Sequence, residues 1–403
     1  MRKNYWILYF TLYFMSVLLV ILSLNLIYPT TDNNHFILLA KSFIKGKTYF
    51  LEMPGSWDDA IFFNGHYFWP SGPFPILILT PFIFIFSKVH LNFYSWYLHL
   101  PFAIGVFYLV FKTSKKLKYK TNDSLFLAYA FCFSSVFLGV LVFPTSWMNA
   151  QVMGIFLLFL SIFEYLQKRR LWLIGVYMGT ILLTRQTAST AIVFFILSLI
   201  FLDKGALQAK LKGLFYLFTP FIVSVVVLGY YDYIRFGNVF EQGYGISNLA
   251  PALQKATEYG VFSIRHIPGN LYYLFISTPL PVFKDNLSHV LAFPFLKADP
   301  WGMSIFVTSP YFIYLFFLRY KDTLSKILLT TIFLTSVPIF SFYGIGVKQF
   351  GYRYSLDFLP LLFFLFIRNY RTLHGSLSRG LKGVILVSSL VNLYLLATLY
   401  MKF

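Results

Sequence analysis

What constrains this chain most is a run of apolar residues long enough to cross a bilayer, repeated from one end to the other. A hydrocarbon core roughly 30 Å thick needs about 20 helical residues to span it. Such runs fall at 5–27, 73–87, 90–111, 124–143, 147–166, 171–184, 186–202, 213–231, 303–319, 326–343, 354–368 and 383–401. They predict an all-α polytopic membrane protein with about 11–12 transmembrane segments, a single domain over residues 1–403. Composition agrees: 12% of residues are charged, against roughly 25% in soluble domains. The first run is too long for a signal-peptide core and lacks a small-residue cleavage site, so it reads as a retained anchor. The one cysteine, Cys132, lies inside an apolar run and reads as a packing residue.

A net charge of +19 raises the question of nucleic acid, and the placement of the charges answers it. Lys and Arg concentrate in six short stretches: Arg2–Lys3, Lys112–Lys120, Lys168–Arg170, Lys204–Lys212, Arg319–Lys326 and Arg368–Lys382. Clustering in short loops is the positive-inside signal. The basic excess is a topology label whose natural contact is anionic lipid headgroups, with no nucleic acid. With those stretches in the cytoplasm, two long loops (28–72 and 232–302) and the turns at 144–149 and 344–353 lie outside. One parity conflict follows: either 73–87 or 90–111 does not cross completely. The stretch "HLNFYSWYLHL" (90–100) has the aromatic and His content of a headgroup-level segment.

Long ordered loops usually carry function, and both of these are on one side. The first opens with "TTDNNHFILLAKSFIKGK" (30–47). Phe36, Leu39, Ala40, Phe43 and Ile44 fall at helical spacing with Lys41, Ser42 and Lys45 opposite, and Gly46 supplies a stop. This predicts an amphipathic helix on the outer membrane surface, with Asp32 and Asn33 where an N-cap belongs. Further along, "GSWDDAIFFNGHYFWPSGPFP" (55–75) sets Asp58, Asp59 and His66 among Trp57, Tyr67, Phe68 and Trp69. Aromatic faces with a few carboxylates and an imidazole suit carbohydrate. Solvated aspartates in an aromatic belt would give the same pattern.

The 32 residues 171–202 are too long for one crossing and rather short for two, which places Arg185 at the tip of two short helices, below the outer surface. A guanidinium there costs roughly 2.5–3.5 kcal/mol unless it is matched. It points to an anionic ligand, phosphate above all, or to a distant aspartate. "KQFGYRYSLDFLPLL" (348–362) repeats the arrangement, with Tyr352 and Tyr354 flanking Arg353. Asp357 stands at i+4 from Arg353, so the pattern fits equally a helical ion pair between them or a phosphate site at Arg353. The second long loop adds Arg235 and Glu241, then Arg265 and His266.

Taken together these segments resemble the GT-C superfamily of membrane glycosyltransferases, in particular its protein O-mannosyltransferase and aminoarabinose-transferase branch. Asp32, Phe36, Ala40 and Gly46 fit the family pattern after the first span. "NGHYF…GPFPILILTPF", "LLTRQTA", "YDYIRFGNVFEQGY" and "FGYRYSLDFLPLL" also look like family segments. Two positions depart from it: Asn33 stands where the family has a glutamate, and Asn149 in "PTSWMNAQ" where relatives often have an acid. The resemblance implies a sugar carried on polyprenyl phosphate and used at the outer face of the cytoplasmic membrane. No Gly-rich nucleotide motif competes with that donor.

Inverting transfer from a sugar phosphate needs one carboxylate to take the acceptor's proton and cations for the departing phosphate. The expected assignment is Asp32 as base, with Arg185 and Arg353 on the donor phosphate. His35, Asp58, Asp59, His66, Asn149, Arg235 and Tyr352 are expected as further contacts to sugar or acceptor. A divalent metal among His35, Asp58 and Asp59 is compatible with the residue types, though no spacing demands it. Alternative classes are an O-antigen ligase or polymerase working through Arg265 and His266, a transporter or lipid flippase, and an inactive relative that keeps the fold.

Overall fold

A computed structural model gives the fold and describes residues 34–52, 59–244, 255 and 257–400. The first apolar run, Asp32, Asn33 and Asp58 lie outside them. The architecture is all-α and polytopic, 66% helix and 5% strand. Helix α1 is His35–Ile44, and the β1–β2 hairpin is Ile61–Phe63 with His66–Phe68. Next come α2 (Phe74–Lys88), α3 (Trp96–Lys116), α4 (Thr121–Phe133), α5 (Phe137–Val142), α6 (Ser146–Gln167) and α7 (Leu171–Leu182). After them run α8 (Gln186–Ser189), α9 (Ile192–Phe201), α10 (Leu207–Phe236) and α11 (Ile267–Phe275). A second hairpin, β3 (Leu280–Phe283) with β4 (Leu291–Lys297), precedes α12 (Ile305–Thr308), α13 (Thr323–Ser341), α14 (Leu359–His374) and α15 (Arg379–Tyr400). Among the described residues, α6, α10, α13 and α15 are long and apolar enough to cross a membrane.

Apolar length alone does not fix helix type, and three predicted runs differ in detail. The 124–143 run breaks at Ser134–Val136. There Ser134 donates to Ile385 O (2.6 Å), while the Ser135 hydroxyl donates to Phe131 O and accepts from Phe137 N, replacing ladder bonds. The 303–319 run is α12 followed by a 3₁₀ stretch, Pro310–Phe317; Pro310 has no N–H to continue an α-helix. The 354–368 run also opens with a 3₁₀ turn, Arg353–Asp357. Of the pair left in conflict, α2 with its 15 residues is about 22 Å long and α3 with 21 is about 32 Å. His99, in the stretch with headgroup-level composition, lies on α3 and is buried against protein.

Helix α1 forms over the predicted residues and stops at Gly46, whose φ of 70° is left-handed. Its cap position is Asn34, whose side chain accepts from Ser95 Oγ rather than from the helix. The apolar face (Phe36, Leu39, Ala40) is covered by Trp69 and by Ile76, Leu79 and Ile83 of α2, so protein rather than lipid takes most of it. At the core of the molecule the first part of α14, Leu359–Ile367, is buried nearly all round, as a stretch apolar on every side must be, while its last turn is exposed. Phe131, Tyr311, Phe363 and Phe366 pack edge-on and tilted there.

Two of the basic stretches, Lys112–Lys120 and Arg368–Lys382, meet at one end of the bundle. Tyr119 donates to Ile367 O (2.7 Å), Arg371 to Lys118 O (3.1 Å), and Lys382 pairs with Asp123 (2.6 Å). Both long loops lie at the other end and are joined there. Gly243, at φ 100°, lies against β1, where a Cβ would come within 2.1 Å of Ile61 Cδ1. Phe236 at the end of α10 packs on Phe63 and Phe68.

Candidate functional site

One face of α6 organises this end. Trp147, Gln151 and Gly154 are at i, i+4 and i+7, so they line up one above another. Trp147 Nε1 donates to Asp59 Oδ2 (2.8 Å). Gln151 Nε2 donates to Arg353 O (3.0 Å). Arg185 passes Gly154 at van der Waals distance, its Cδ 3.8 Å from where a Cβ would stand. Three segments far apart in sequence thus meet on one stripe of helix.

Arg185 stands at the tip between α7 and α8, as the run length predicts. Its partner is Asp357: Nε to Oδ1 at 2.6 Å and Nη2 to Oδ2 at 2.9 Å, a bidentate pair that Thr187 extends by donating its hydroxyl to Oδ2. Of the two readings open for Arg353, the i+4 pair with Asp357 does not form. Residues 353–357 are 3₁₀, and at three residues per turn the eclipsed neighbour is i+3, not i+4. Arg353 is buried, yet no carboxylate among the described residues lies within ion-pair distance of it. Its guanidinium lies 4.5 Å from the Tyr354 ring centroid, with Nη2 3.4 Å from the Tyr354 hydroxyl; Nε has no hydrogen-bond partner among the described residues. Arg185 reaches the same ring at 5.9 Å, so Tyr354 has two cations near its ring. Gln151 Oε1, also buried, likewise lacks a described hydrogen-bond partner.

Tyr244 and Tyr343 complete the surroundings. Burial, and after it the negative charge of Asp59, pushes both phenols up; Tyr244 also feels Tyr354 and Arg185. Asp59, the two phenols and the Arg185–Tyr354 group therefore lie within electrostatic range of one another. From behind, Gln349 braces Arg353. Its Oε1 accepts from Arg353 N (3.4 Å) while its Nε2 donates to Trp301 O (2.6 Å) and Ile345 O (2.7 Å).

The other expected residues are spread around this centre. His35 stacks on Trp69 at 3.9 Å and meets Trp147 edge-on at 5.1 Å, next to Asp59. Asn149 faces another way: its Oδ1 is 2.6 Å from His99 Nδ1 and its Nδ2 donates to Pro144 O (3.0 Å), holding α3 to the α5–α6 turn. Arg235 pairs with Asp232, donates to Trp69 O (2.6 Å) and stacks on Tyr231, tying α10 to the first loop. Tyr352 donates to Asn270 Oδ1 (2.7 Å), and the Asn270 amide in turn donates to the carbonyls of His266, Phe340 and Phe342. His66 is exposed and stacked on Tyr49 at 3.8 Å. Among the described residues no group of three or more His, Cys, Asp or Glu is placed to hold a metal ion. Sequence reasoning passed over Trp147, Gln151, Thr187, Tyr244 and Tyr343. The i, i+4, i+7 spacing along α6 was the available signal for the first two.

The chain thus presents a helical membrane protein with a polar, aromatic-lined cluster at the end away from its basic loops. No family model matches it, and no curated protein matches it either. Among solved structures, the oligosaccharyltransferase of Archaeoglobus fulgidus in its apo form is similar at 15% identity and a TM-score of 0.45. That alignment covers 98% of this chain and 56% of the other, so the chain spans about half the length of that protein.

Proposed function

We propose that this protein transfers a sugar, with inversion, from a polyprenyl-phosphate donor to an acceptor at the extracytoplasmic face of the membrane. The observation that carries the reading is Arg353, a buried guanidinium with no described carboxylate beside it. A cation held that way suits an anion that comes and goes. Arg353 takes the donor phosphate. Arg185, matched by Asp357, lies near the same Tyr354 ring and keeps a second cation near the developing charge. The trapped phenols and tryptophans offer flat faces to a sugar.

The chemistry asks little else of the chain. The acceptor hydroxyl attacks the anomeric carbon from the face opposite the phosphate, the C–O bond to phosphate breaks, and polyprenyl phosphate leaves with the bonding pair. A carboxylate receives the acceptor's proton. Asp32, two residues before Asn34, is the base on this reading. Asp59, held by the Trp147 N–H, serves as a sugar or acceptor contact.

The test is release of polyprenyl phosphate by purified protein offered a panel of polyprenyl-phosphate sugars. Charge-assisted hydrogen bonds contribute roughly 1.5–3 kcal/mol, so Arg353→Ala should weaken donor binding by about ten- to hundredfold. Asp32→Asn should abolish release while leaving binding intact. Unchanged donor affinity in the arginine variant removes the phosphate site, and wild-type release in Asp32→Asn removes the base.

A further inference from the structure

The β3–β4 hairpin leaves its apolar side chains bare on both faces. Leu287 at the tip is 92% exposed and Phe293 is 65% exposed; Phe283, Val290, Leu291 and Leu296 are uncovered too. A two-stranded hairpin with nothing on its faces is marginally stable in water, and contiguous exposed apolar surface marks a contact. The tip is nonetheless a built turn. Asp285 Oδ1 accepts from Leu287 N (2.8 Å) and Ser288 N (2.6 Å), and Oδ2 accepts from the Ser288 hydroxyl. Those bonds hold the Asp285 carboxyl below its usual range and turn Leu287 outward.

Where the hairpin sits decides what covers it. Tyr394 of α15 donates to Pro294 O, and Ala298 N donates to Thr398 Oγ1 (3.0 Å). Helix α15 starts among the basic stretches at Arg379, so these contacts fix the hairpin at the opposite end of a membrane-crossing helix. Val387, Leu390, Val391 and Tyr394 form an exposed apolar stripe on α15, the face such a helix shows to lipid. The bare hairpin residues continue that stripe to the level where the helix leaves the hydrocarbon. Lys284 and Lys297, both exposed, sit at the ends of the strands with stems long enough to lie on apolar surface while their ammonium groups reach phosphate. Aromatic and apolar residues bracketed by lysines at the end of a span are the composition of the headgroup boundary.

We propose that the β3–β4 hairpin is a membrane-interface anchor, with Leu287, Val290 and Phe293 in the headgroup–acyl boundary and Lys284 and Lys297 on lipid phosphates. Its position bears on the site as well. Strand β4 runs on through Asp299 and Pro300 to Trp301, and Gln349, which braces Arg353, bonds to Trp301 O (2.6 Å) and Pro300 O (3.2 Å). Lipid thereby fixes the height of the segment behind Arg353, whatever reaction the site performs.

The experiment uses the full chain in nanodiscs of phosphatidylcholine and phosphatidylglycerol. Cys132→Ala removes the native thiol, and a polarity-sensitive fluorophore is attached at Leu287→Cys or, separately, Val290→Cys, with Asn64→Cys on the β1–β2 turn as the comparison. Expected are blue-shifted emission at 287 and 290 and quenching by lipids spin-labelled near the top of the acyl chain, several-fold stronger than at 64. Iodide should reach position 64 and spare the hairpin. Iodide quenching of the hairpin equal to that at 64 overturns the proposal. So does protection from both quenchers in a chain that elutes as a dimer, since a second copy would then be the cover. Two labelling sites keep the result interpretable if one variant misfolds.

Discussion

Breaking the Arg185–Asp357 pair separates a structural guanidinium from a ligand-binding one. The carboxylate is 2% exposed and the arginine side chain 15% exposed, with two bonds of 2.6 and 2.9 Å between them. Charges centred about 4 Å apart attract by roughly 4 kcal/mol at an effective dielectric constant near 20. Removing one partner of a buried pair commonly costs 3–5 kcal/mol. Asp357→Ala also strips Thr187 of its acceptor, so about 3–4 kcal/mol of destabilisation is expected after some relief of Arg185 by its partial exposure. Replacing both partners with apolar residues of similar size, Arg185→Met with Asp357→Leu, should return stability to within about 1 kcal/mol of the native chain. Reversible unfolding in mixed micelles, followed by tryptophan fluorescence, measures both. Donor binding is then compared in the double variant and in Arg353→Ala. The double variant should lose far less donor affinity than Arg353→Ala. The division of labour between the two arginines is wrong if Asp357→Ala costs under about 1 kcal/mol, or if the double variant loses donor binding as completely as Arg353→Ala.

Two further outcomes test the fold. At Gly175 an added Cβ would come within 2.2 Å of Leu217 O, a backbone atom that cannot swing aside. Gly175→Ala should therefore force α7 from α10 and cost about 1–3 kcal/mol or more, read by the same unfolding assay, whereas Gly383→Ala, with open space around it, should cost far less. Asp322 caps α13; against the pull of burial, the Ser325 hydroxyl and N–H and the Arg368 guanidinium hold its carboxyl down from 3.8 to about 2. A depressed folded-state value means its stabilisation is present above pH 4 and is lost as pH falls towards 2. Since its side chain is 45% exposed, the contribution is about 1 kcal/mol after solvent screening. Asp322→Asn should flatten the unfolding profile in that window.

How much of this was legible depends on whether a feature is local. The spacing of Phe36, Leu39, Ala40, Phe43 and Ile44, closed by Gly46, specified α1 because helix periodicity and a left-handed stop are local properties. The length of the 171–202 run placed Arg185 at a tip for the same reason. Its partner stood 172 residues away, and nothing local names such a partner. The i+4 rule misdirected Asp357 because it presumes α geometry, and an apolar run reads alike whether it winds as α or 3₁₀. Asn149 and His99 show the complementary limit. Each is polar in an apolar setting, which from sequence suggests function, and each proves to satisfy the other across two helices.

That contrast sharpens what sets Arg353 apart. Other buried polar side chains expected at the site are closed systems: Arg235 with Asp232 and Trp69 O, Asn149 with His99, Tyr352 with Asn270, Arg185 with Asp357. Each offsets its own desolvation and holds two elements together. Arg353 is braced through its backbone by Gln151 and Gln349, so its position is fixed without using its charge. Among the described residues, side-chain compensation comes from Tyr354, whose ring contributes about 1–2 kcal/mol for a desolvated cation over an aromatic face, less than the roughly 2.5–3.5 kcal/mol that a cation costs at membrane depth. Among the described residues the fold therefore sustains a positioned and under-compensated cation, next to Gln151, whose Oε1 also lacks a described partner. Packing alone gives no reason to keep such a group, whereas an anionic ligand would supply the missing compensation on arrival and give it up on leaving.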